Sequence, residues 1–154
     1  MIEVEVEDQA WLAALPTAEA VVVQAATAAL HAVSAGADGV EISVLLTDDE
    51  SVRALNSQFR HKDSPTNFLS FPAPETARPH LGDVALAHGV CVREAEAQGK
   101  PLAAHLAHLT AHGVLHLLGY DHDAEAEAEE MEGLERVIMA GLGLPDPYEN
   151  DVQS

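Results

Sequence analysis

Three histidines late in the chain have the spacing of metal ligands. His112 and His116 are four residues apart, so an α-helix would place them on one face, a single turn from each other. Gly119 is suited to end this helix in the left-handed conformation, and the turn after it would bring His122 back toward the pair. Three imidazole ligands with a fourth position open are typical of catalytic zinc, whereas structural zinc generally has four ligands, mostly thiolates. Because the chain contains one cysteine, we predict a single catalytic zinc ion held by the three histidines.

Two more histidines, His105 and His108, extend the same helical face toward its N-terminus. Successive helical turns rise by about 5.4 Å, so one tetrahedral ion cannot be reached from all of these turns. We therefore predict that His105 and His108 support the metal ligands from outside or pack in the core.

The metal site predicts hydrolysis as the reaction class. A metal held by neutral imidazoles keeps its positive charge, polarises a carbonyl or phosphoryl oxygen, and lowers the pKa of bound water toward about 7. The histidine spacing also matches the metzincin proteases, which carry a glutamate directly after the first histidine as general base. Here that position is Gly113, which cannot accept a proton, and this argues against a protease.

Length and cysteine usage indicate the kind of chain and its compartment. At 154 residues the chain has ordinary single-domain length, and we predict one domain over residues 1–145 with a loosely ordered tail over 146–154. The lone Cys91 excludes an internal disulfide framework and suits a reducing compartment. No export signal or membrane-spanning apolar run is visible, so we expect a cytoplasmic protein without membrane contact.

The charge distribution is strongly acidic overall but locally basic. The chain has 26 acidic and 7 basic residues, a balance that repels polyanions in bulk. Four of the seven cations nevertheless lie within one stretch, at Arg53, Arg60, Lys62 and Arg78. Seven carboxylates lie within residues 123–135, which indicates a solvated helix face or, alternatively, a docking site for a basic partner.

Hydrophobic periodicity and helix-boundary residues predict an alternation of strands and helices. The first strand, the first helix and the second strand form a βαβ unit, and the second helix is expected to begin with a capping box at Thr47–Glu50. The predicted strands cover residues 2–7, 40–44, 67–71 and 83–87, and the predicted helices cover 17–34, 47–59, 90–98, 101–119 and 123–140.

Three segments together resemble a known family. The segment His112–His122, which reads HGVLHLLGYDH, is similar to the signature of the YbeY family of bacterial ribosomal-RNA maturation endoribonucleases. Leu55–Arg60 with Pro65–Pro72 resembles the second motif of that family, and Leu81–Val84 resembles the third. The resemblance covers roughly residues 40 to 140. It departs at Asn67, where many members have aspartate, and at Phe68, where valine is usual.

The resemblance implies an α+β layered fold, in which a small mixed four-stranded sheet is covered by about five helices and the metal site is on a helix C-terminus. It also implies a zinc-dependent, single-strand-specific endoribonuclease acting in ribosomal RNA maturation, at the 3′ end of 16S rRNA, and in ribosome quality control. The family arginine corresponds to Arg60, which would lie in the substrate cleft near the metal.

Physical reasoning gives Arg60 a role in this reaction. A guanidinium binds a phosphate through two parallel hydrogen bonds and opposes the charge that grows in the transition state. Lys62 and His61 would steer RNA into the cleft. No general base is evident, so the nucleophile is either water activated at the metal or the 2′-hydroxyl of the RNA itself.

The predicted partners are single-stranded or ribosomal RNA and a guiding ribosomal small-subunit protein or assembly GTPase; DNA is not expected. An acidic enzyme has weak long-range attraction for RNA, which favours help from a basic partner. Two alternatives are a metalloprotease-like hydrolase and a non-catalytic ribosome-assembly factor stabilised by zinc.

Overall fold

The computed structural model describes residues 2–33, 40–62, 66–120 and 125–148. Within these residues there are four strands and six α-helices. The strands are β1 (Ile2–Val6), β2 (Glu41–Thr47), β3 (Phe68–Pro72) and β4 (His80–Ala87). The helices are α1 (Ala10–Ala14), α2 (Ala18–Ala32), α3 (Asp49–Arg60), α4 (His88–Gln98), α5 (Leu102–Leu117) and α6 (Glu125–Gly141).

The strands form one mixed sheet in the order β1-β2-β4-β3, which confirms the predicted α+β class with a four-stranded mixed sheet. β1 pairs with β2 in parallel, and β2 pairs with β4 in parallel. β3 is antiparallel to β4, with Phe68 opposite Leu86 and Pro72 opposite Gly82. Parallel neighbours require crossover connections, and α2 supplies the crossover from β1 to β2 in the predicted βαβ unit.

The two faces of the sheet are covered by different helices, because side chains alternate along each strand. On β4, Val84 and Leu86 point into the main core, which also contains residues of α2, α5 and α6. Ala85 and Ala87 point to the opposite face, where they cluster with Val52 of α3. α5 is therefore held between the sheet and the outer helices.

Two helix starts differ from the sequence prediction. The capping box at Thr47 was wrong: Thr47 is the last residue of β2, and its hydroxyl donates to Glu7 at 3.0 Å. The N-cap of α3 is Asp48, whose carboxylate accepts a 2.6 Å hydrogen bond from the backbone N–H of Ser51. Strand pairing with β4 extends through Thr47 and moves the helix start by one residue.

The additional helix α1 arises from a tertiary contact that the sequence pattern does not show. Its buried Trp11 donates from Nε1 to the carbonyl of Thr47 at 3.0 Å, and the indole ring meets the His88 ring edge-on. A five-residue helix has too few internal hydrogen bonds to persist alone, so this anchor stabilises it.

Several predicted features lie outside the described residues: the end of the first long helix at Gly36, the turn containing His122, the start of the last helix at Asp123, and residues 149–154 of the predicted tail. The domain boundary at residue 145 stays a prediction. No helix in the described part of the chain is long and apolar enough to cross a bilayer.

Candidate metal centre and substrate cleft

α5 carries the two predicted metal ligands on a helix that is otherwise almost entirely buried. Small residues on α5 allow its close approach to the sheet: Gly113 is buried, and a Cβ at this position would lie 3.0 Å from a methyl carbon of Val84 on β4. The helix ends as predicted near Gly119, whose φ of 101° lies in the left-handed region that favours glycine. The end of α5 thus brings two imidazoles to the edge of the core.

His112 and His116 direct ring nitrogens at the same point. The Nε2 atoms of the two rings are 3.1 Å apart, and both side chains are half-buried. With zinc–nitrogen bonds of 2.0–2.1 Å, two ligands of a tetrahedral ion are separated by about 3.3 Å. The pair therefore fits two corners of a zinc site. The third predicted ligand, His122, lies outside the described residues.

The other ring nitrogen of His112 contacts a buried carboxylate. Glu135 of α6 is 0% exposed, and its Oε1 lies 2.6 Å from His112 Nδ1. A carboxylate partner favours the tautomer with the proton on Nδ1, which leaves the Nε2 lone pair directed toward His116. Metal-binding histidines characteristically have such a carboxylate partner.

Hydrogen bonds keep Glu135 ionised in spite of its burial. Burial alone raises the pKa of this carboxyl, but hydrogen bonds from His108, His112 and Tyr148 outweigh it and lower the pKa to about 2 from 4.5. Glu135 is therefore a fixed negative charge behind the His112 ring.

A second arrangement of metal ligands involves the same carboxylate. His108, His112 and Glu135 form a group that could hold a metal ion, with ligand atoms within 4.8 Å of one another. Glu135 lies 2.5 Å from His108 Nε2 and 2.6 Å from His112 Nδ1. These are hydrogen-bond distances, whereas two ligands of one zinc ion are separated by about 3.3 Å. The geometry favours a hydrogen-bonded support for His112 over a second ion.

A polar cleft of about 400 Å³ adjoins His116. It is lined by Arg60 and Lys62 at the end of α3 and by residues of β3, and none of its described lining residues is acidic. The Arg60 guanidinium donates to the Ser70 carbonyl at 2.7 Å and lies 5.8 Å from the centre of the Phe71 ring. A chain with a formal net charge of −19 thus has a local basic surface beside the histidine pair.

His61, the third residue predicted to bind substrate, occupies a different position. It is exposed, ends α3 in the left-handed conformation with φ of 58°, and is not among the residues lining the cleft. Lys62 follows it, and its backbone N–H donates to Asn56 at 3.2 Å, which fixes the exit from the helix. The structure therefore brings Arg60 and Lys62 together with His116, and does not bring His61 to them.

Asn67, one of the two departures from the family pattern, has a structural explanation. Its Nδ2 donates to Glu94 Oε1 at 3.1 Å, and its Oδ1 accepts from the backbone N–H of Phe68 at 2.8 Å. The same Glu94 oxygen lies 2.9 Å from Nε2 of His105. Burial lowers the pKa of His105 in spite of the Glu94 carboxylate. An amide provides both a donor and an acceptor here, whereas an ionised aspartate would face Glu94 without a donor.

Gly113 also bears on the protease alternative. A side chain at this position would start toward Val84 and Phe68 in the core, so a glutamate there would not reach the space between the two Nε2 atoms. The geometry thus supports the argument against a metzincin-like general base.

A larger hollow of about 840 Å³ lies on the face of the sheet beside α3. Its lining is mostly apolar and contains none of the predicted site residues. The cavity that adjoins His116, Arg60 and Lys62 is the smaller one, not this hollow.

The fold and site define an α+β protein with a candidate metal centre beside a basic cleft. The family model described as "Endoribonuclease YbeY" matches residues 4–143. A relative from Rhodopseudomonas palustris with that name is 52% identical over 95% of this chain and 80% of its own length. One from Azorhizobium caulinodans is 51% identical over 96% of this chain and 95% of its own length. The chain belongs to the endoribonuclease YbeY family.

A solved structure supports the fold. The solution structure of TM1509 from Thermotoga maritima is similar with a TM-score of 0.61 at 22% identity, covering 96% of this chain and 98% of that protein.

Proposed function

We propose that this protein is a zinc-dependent endoribonuclease that cleaves single-stranded RNA and acts in ribosomal RNA maturation, including the 3′ end of 16S rRNA, and in ribosome quality control. The observation that carries the proposal is the cleft beside His116: Arg60 and Lys62 line it, and none of its described lining residues is acidic. Such a cleft suits a phosphodiester backbone, and the names of the relatives match this chemistry.

In the proposed mechanism, His112, His116 and His122 would hold one zinc ion. When bound, zinc supplies Lewis acidity toward a phosphoryl oxygen or a water molecule. The Arg60 guanidinium donates to the scissile phosphate and opposes the growing charge on its oxygens. The bond from Arg60 to Ser70 orients the guanidinium toward the cleft wall, and Lys62 attracts the RNA backbone. His61 is exposed and does not line the cleft, so its proposed role is limited to steering RNA from outside the cleft.

Cleavage assays with two arginine variants test the phosphate role of Arg60. The substrates are end-labelled single-stranded RNA, duplex RNA and single-stranded DNA. Arg60→Ala should lower kcat/KM on single-stranded RNA by about 100- to 1000-fold, the usual effect of losing one transition-state donor. Arg53→Ala is the matched control, because Arg53 lies on the same helix and pairs with Glu50 outside the cleft. Equal activities of the two variants would contradict the mechanism.

Zinc analysis tests the metal ligands. Wild-type protein should hold one equivalent of zinc, and His116→Ala should lose both zinc and cleavage. Arg60→Ala and His116→Ala are purified in parallel with wild type. Activity that persists equally in all three preparations identifies a contaminating ribonuclease. The product ends decide the nucleophile, since attack by the 2′-hydroxyl leaves a cyclic phosphate.

We further propose that a ribosomal small-subunit protein or an assembly GTPase directs the enzyme to its cytoplasmic RNA substrate. The exposed carboxylates Glu127, Glu129 and Glu130 make the surface of this part of α6 acidic, which suits a basic partner. Replacing the three by glutamine should weaken a salt-sensitive pull-down of small-subunit proteins. An unchanged pull-down would show that these carboxylates of α6 do not bind the partner.

Two alternative functions give different results in these assays. A metalloprotease would degrade casein and leave RNA intact. A non-catalytic assembly factor would keep its effect on ribosomes after Arg60→Ala, because that substitution removes no predicted metal ligand.

A further inference from the structure

The chain turns back after α6 and holds a short segment against the helices that form the metal centre. This segment, residues 145–148, is called the C-terminal strap. Asp146 of the strap pairs with Arg136 at 3.2 Å, and the Arg136 guanidinium lies 5.3 Å from the centre of the Tyr148 ring. Lys100, before α5, donates to a backbone carbonyl of the strap at 2.9 Å. The strap is thus tied to α6 and to the start of α5.

Tyr148 contacts the carboxylate behind the candidate metal ligand. Its hydroxyl donates to Oε2 of Glu135, the same oxygen that lies 2.5 Å from His108 Nε2. The other oxygen, Oε1, faces His112 Nδ1. The rings of Tyr148 and His108 also meet edge-on, with centroids 5.5 Å apart.

The burial of Glu135 makes these donors necessary. A carboxylate removed from water is costly unless hydrogen bonds compensate its charge, and Glu135 is 0% exposed. Three groups from two parts of the chain supply that compensation: His108 and His112 of α5, and Tyr148 of the strap. With both oxygens engaged, the carboxylate cannot rotate without losing a hydrogen bond.

We propose that Glu135 is a positioning residue for the metal ligand His112, and that the C-terminal strap holds Glu135 in place through the Tyr148 hydroxyl. This inference rests on the proposed function, because it takes His112 as a zinc ligand. Glu135 sets the His112 tautomer and ring angle, so that Nε2 is presented to the metal beside His116. The strap thereby makes the end of the described chain a support of the metal centre.

Zinc affinity of the 154-residue chain tests the proposal independently of RNA cleavage. Competition with a chromophoric zinc chelator gives the dissociation constant. Glu135→Gln should weaken zinc binding by about 10- to 100-fold, the usual effect of removing an outer partner of a ligating histidine. Tyr148→Phe keeps the ring and should give a smaller loss in the same direction. Glu96→Gln, which changes an exposed carboxylate on α4 away from the metal centre and from the acidic part of α6, is the matched control and should bind zinc as wild type does.

A spectroscopic measurement separates positioning from general stability. Nitrogen-15 spectra of the histidines report which ring nitrogen of His112 carries the proton. Wild type should show the proton on Nδ1, and the proportion of this tautomer should fall in Glu135→Gln. Urea unfolding in chelator checks that each variant is folded, and Tyr148→Phe remains as the test if Glu135→Gln does not fold.

The outcomes distinguish this inference from the proposed function. The inference alone is overturned if wild type binds zinc, His116→Ala does not, and the Glu135 and Tyr148 variants bind as tightly as wild type. It is also overturned if Glu135→Gln abolishes binding while His116→Ala retains it, because the ion would then lie among His108, His112 and Glu135. A wild-type protein without zinc affinity refutes the proposed metal centre itself.

Discussion

Gly113 provides a sharp test of how closely the histidine helix must approach the sheet. An added Cβ would lie 3.0 and 3.1 Å from the two γ-methyl carbons of Val84 and 3.7 Å from a ring carbon of Phe68. Carbon atoms in ordinary contact are about 3.5–4.0 Å apart. Gly113→Ala therefore forces α5 away from β4 or Val84 out of its rotamer, and overpacking of this kind costs about 1–3 kcal/mol.

A second glycine in a helix interior separates packing from helix propensity. Gly133 lies within α6, and a Cβ added there would meet no described atom within 4 Å. Gly133→Ala should stabilise the protein by up to about 1 kcal/mol, the helix propensity difference between alanine and glycine. Gly113→Ala gains the same propensity but incurs the overpacking cost, so its net effect should be a destabilisation of about 0–2 kcal/mol.

Urea unfolding of both variants measures the comparison directly. The free energies of unfolding should differ by about 1–3 kcal/mol between the two alanine variants, with Gly113→Ala the less stable. In a Val84→Ala background the added methyl has room, and Gly113→Ala should become as favourable as Gly133→Ala. Equal stabilisation at both glycines in the wild-type background would refute the close-packing argument.

Three further predictions concern the surroundings of the site. Gly82→Ala should lower the free energy of unfolding in urea by at least about 3 kcal/mol, because φ is +150° and the new Cβ would collide with the backbone oxygen of Phe71. Gly99→Ala is the comparison: its φ is +66° but the new Cβ has open space, so it should cost only about 1–2 kcal/mol. Asn67→Asp should cost about 2 kcal/mol near neutral pH, because the donor to Glu94 is replaced by a like charge, and the cost should shrink when the carboxylates are protonated. Because burial lowers the pKa of His105, the unfolded chain binds a proton at mildly acidic pH that the folded chain does not. The free energy of unfolding should therefore fall as the pH drops below about 6.5, and it should fall less steeply in His105→Gln. Parallel pH profiles of the wild-type and variant proteins would contradict this.

The local features of the fold could be predicted because they depend on neighbours in the chain. The helical period places His112 and His116 on one face, and Gly119 ends α5 with the expected positive φ. Alternation of apolar residues located β1 and β2, short apolar segments located β3 and β4, and the motif resemblance supplied the mixed arrangement of the sheet. The errors occurred where a distant partner decided the outcome, as at Thr47, where pairing with β4 extended the strand and moved the cap to Asp48.

The composition of the site divides in the same way. The amino-acid sequence by itself determined the family, the histidine pair and the candidate phosphate ligand Arg60, since each is carried by a short motif. The tertiary structure alone decided that Glu135 of α6 meets His112, that Tyr148 meets Glu135, and that the end of α3 shares a cleft with His116. These contacts join residues far apart in the chain, and no local pattern records them. The sequence does not distinguish a buried glutamate from an exposed one. Only tertiary packing removes water from the carboxylate, whose charge must then be compensated by hydrogen-bond donors.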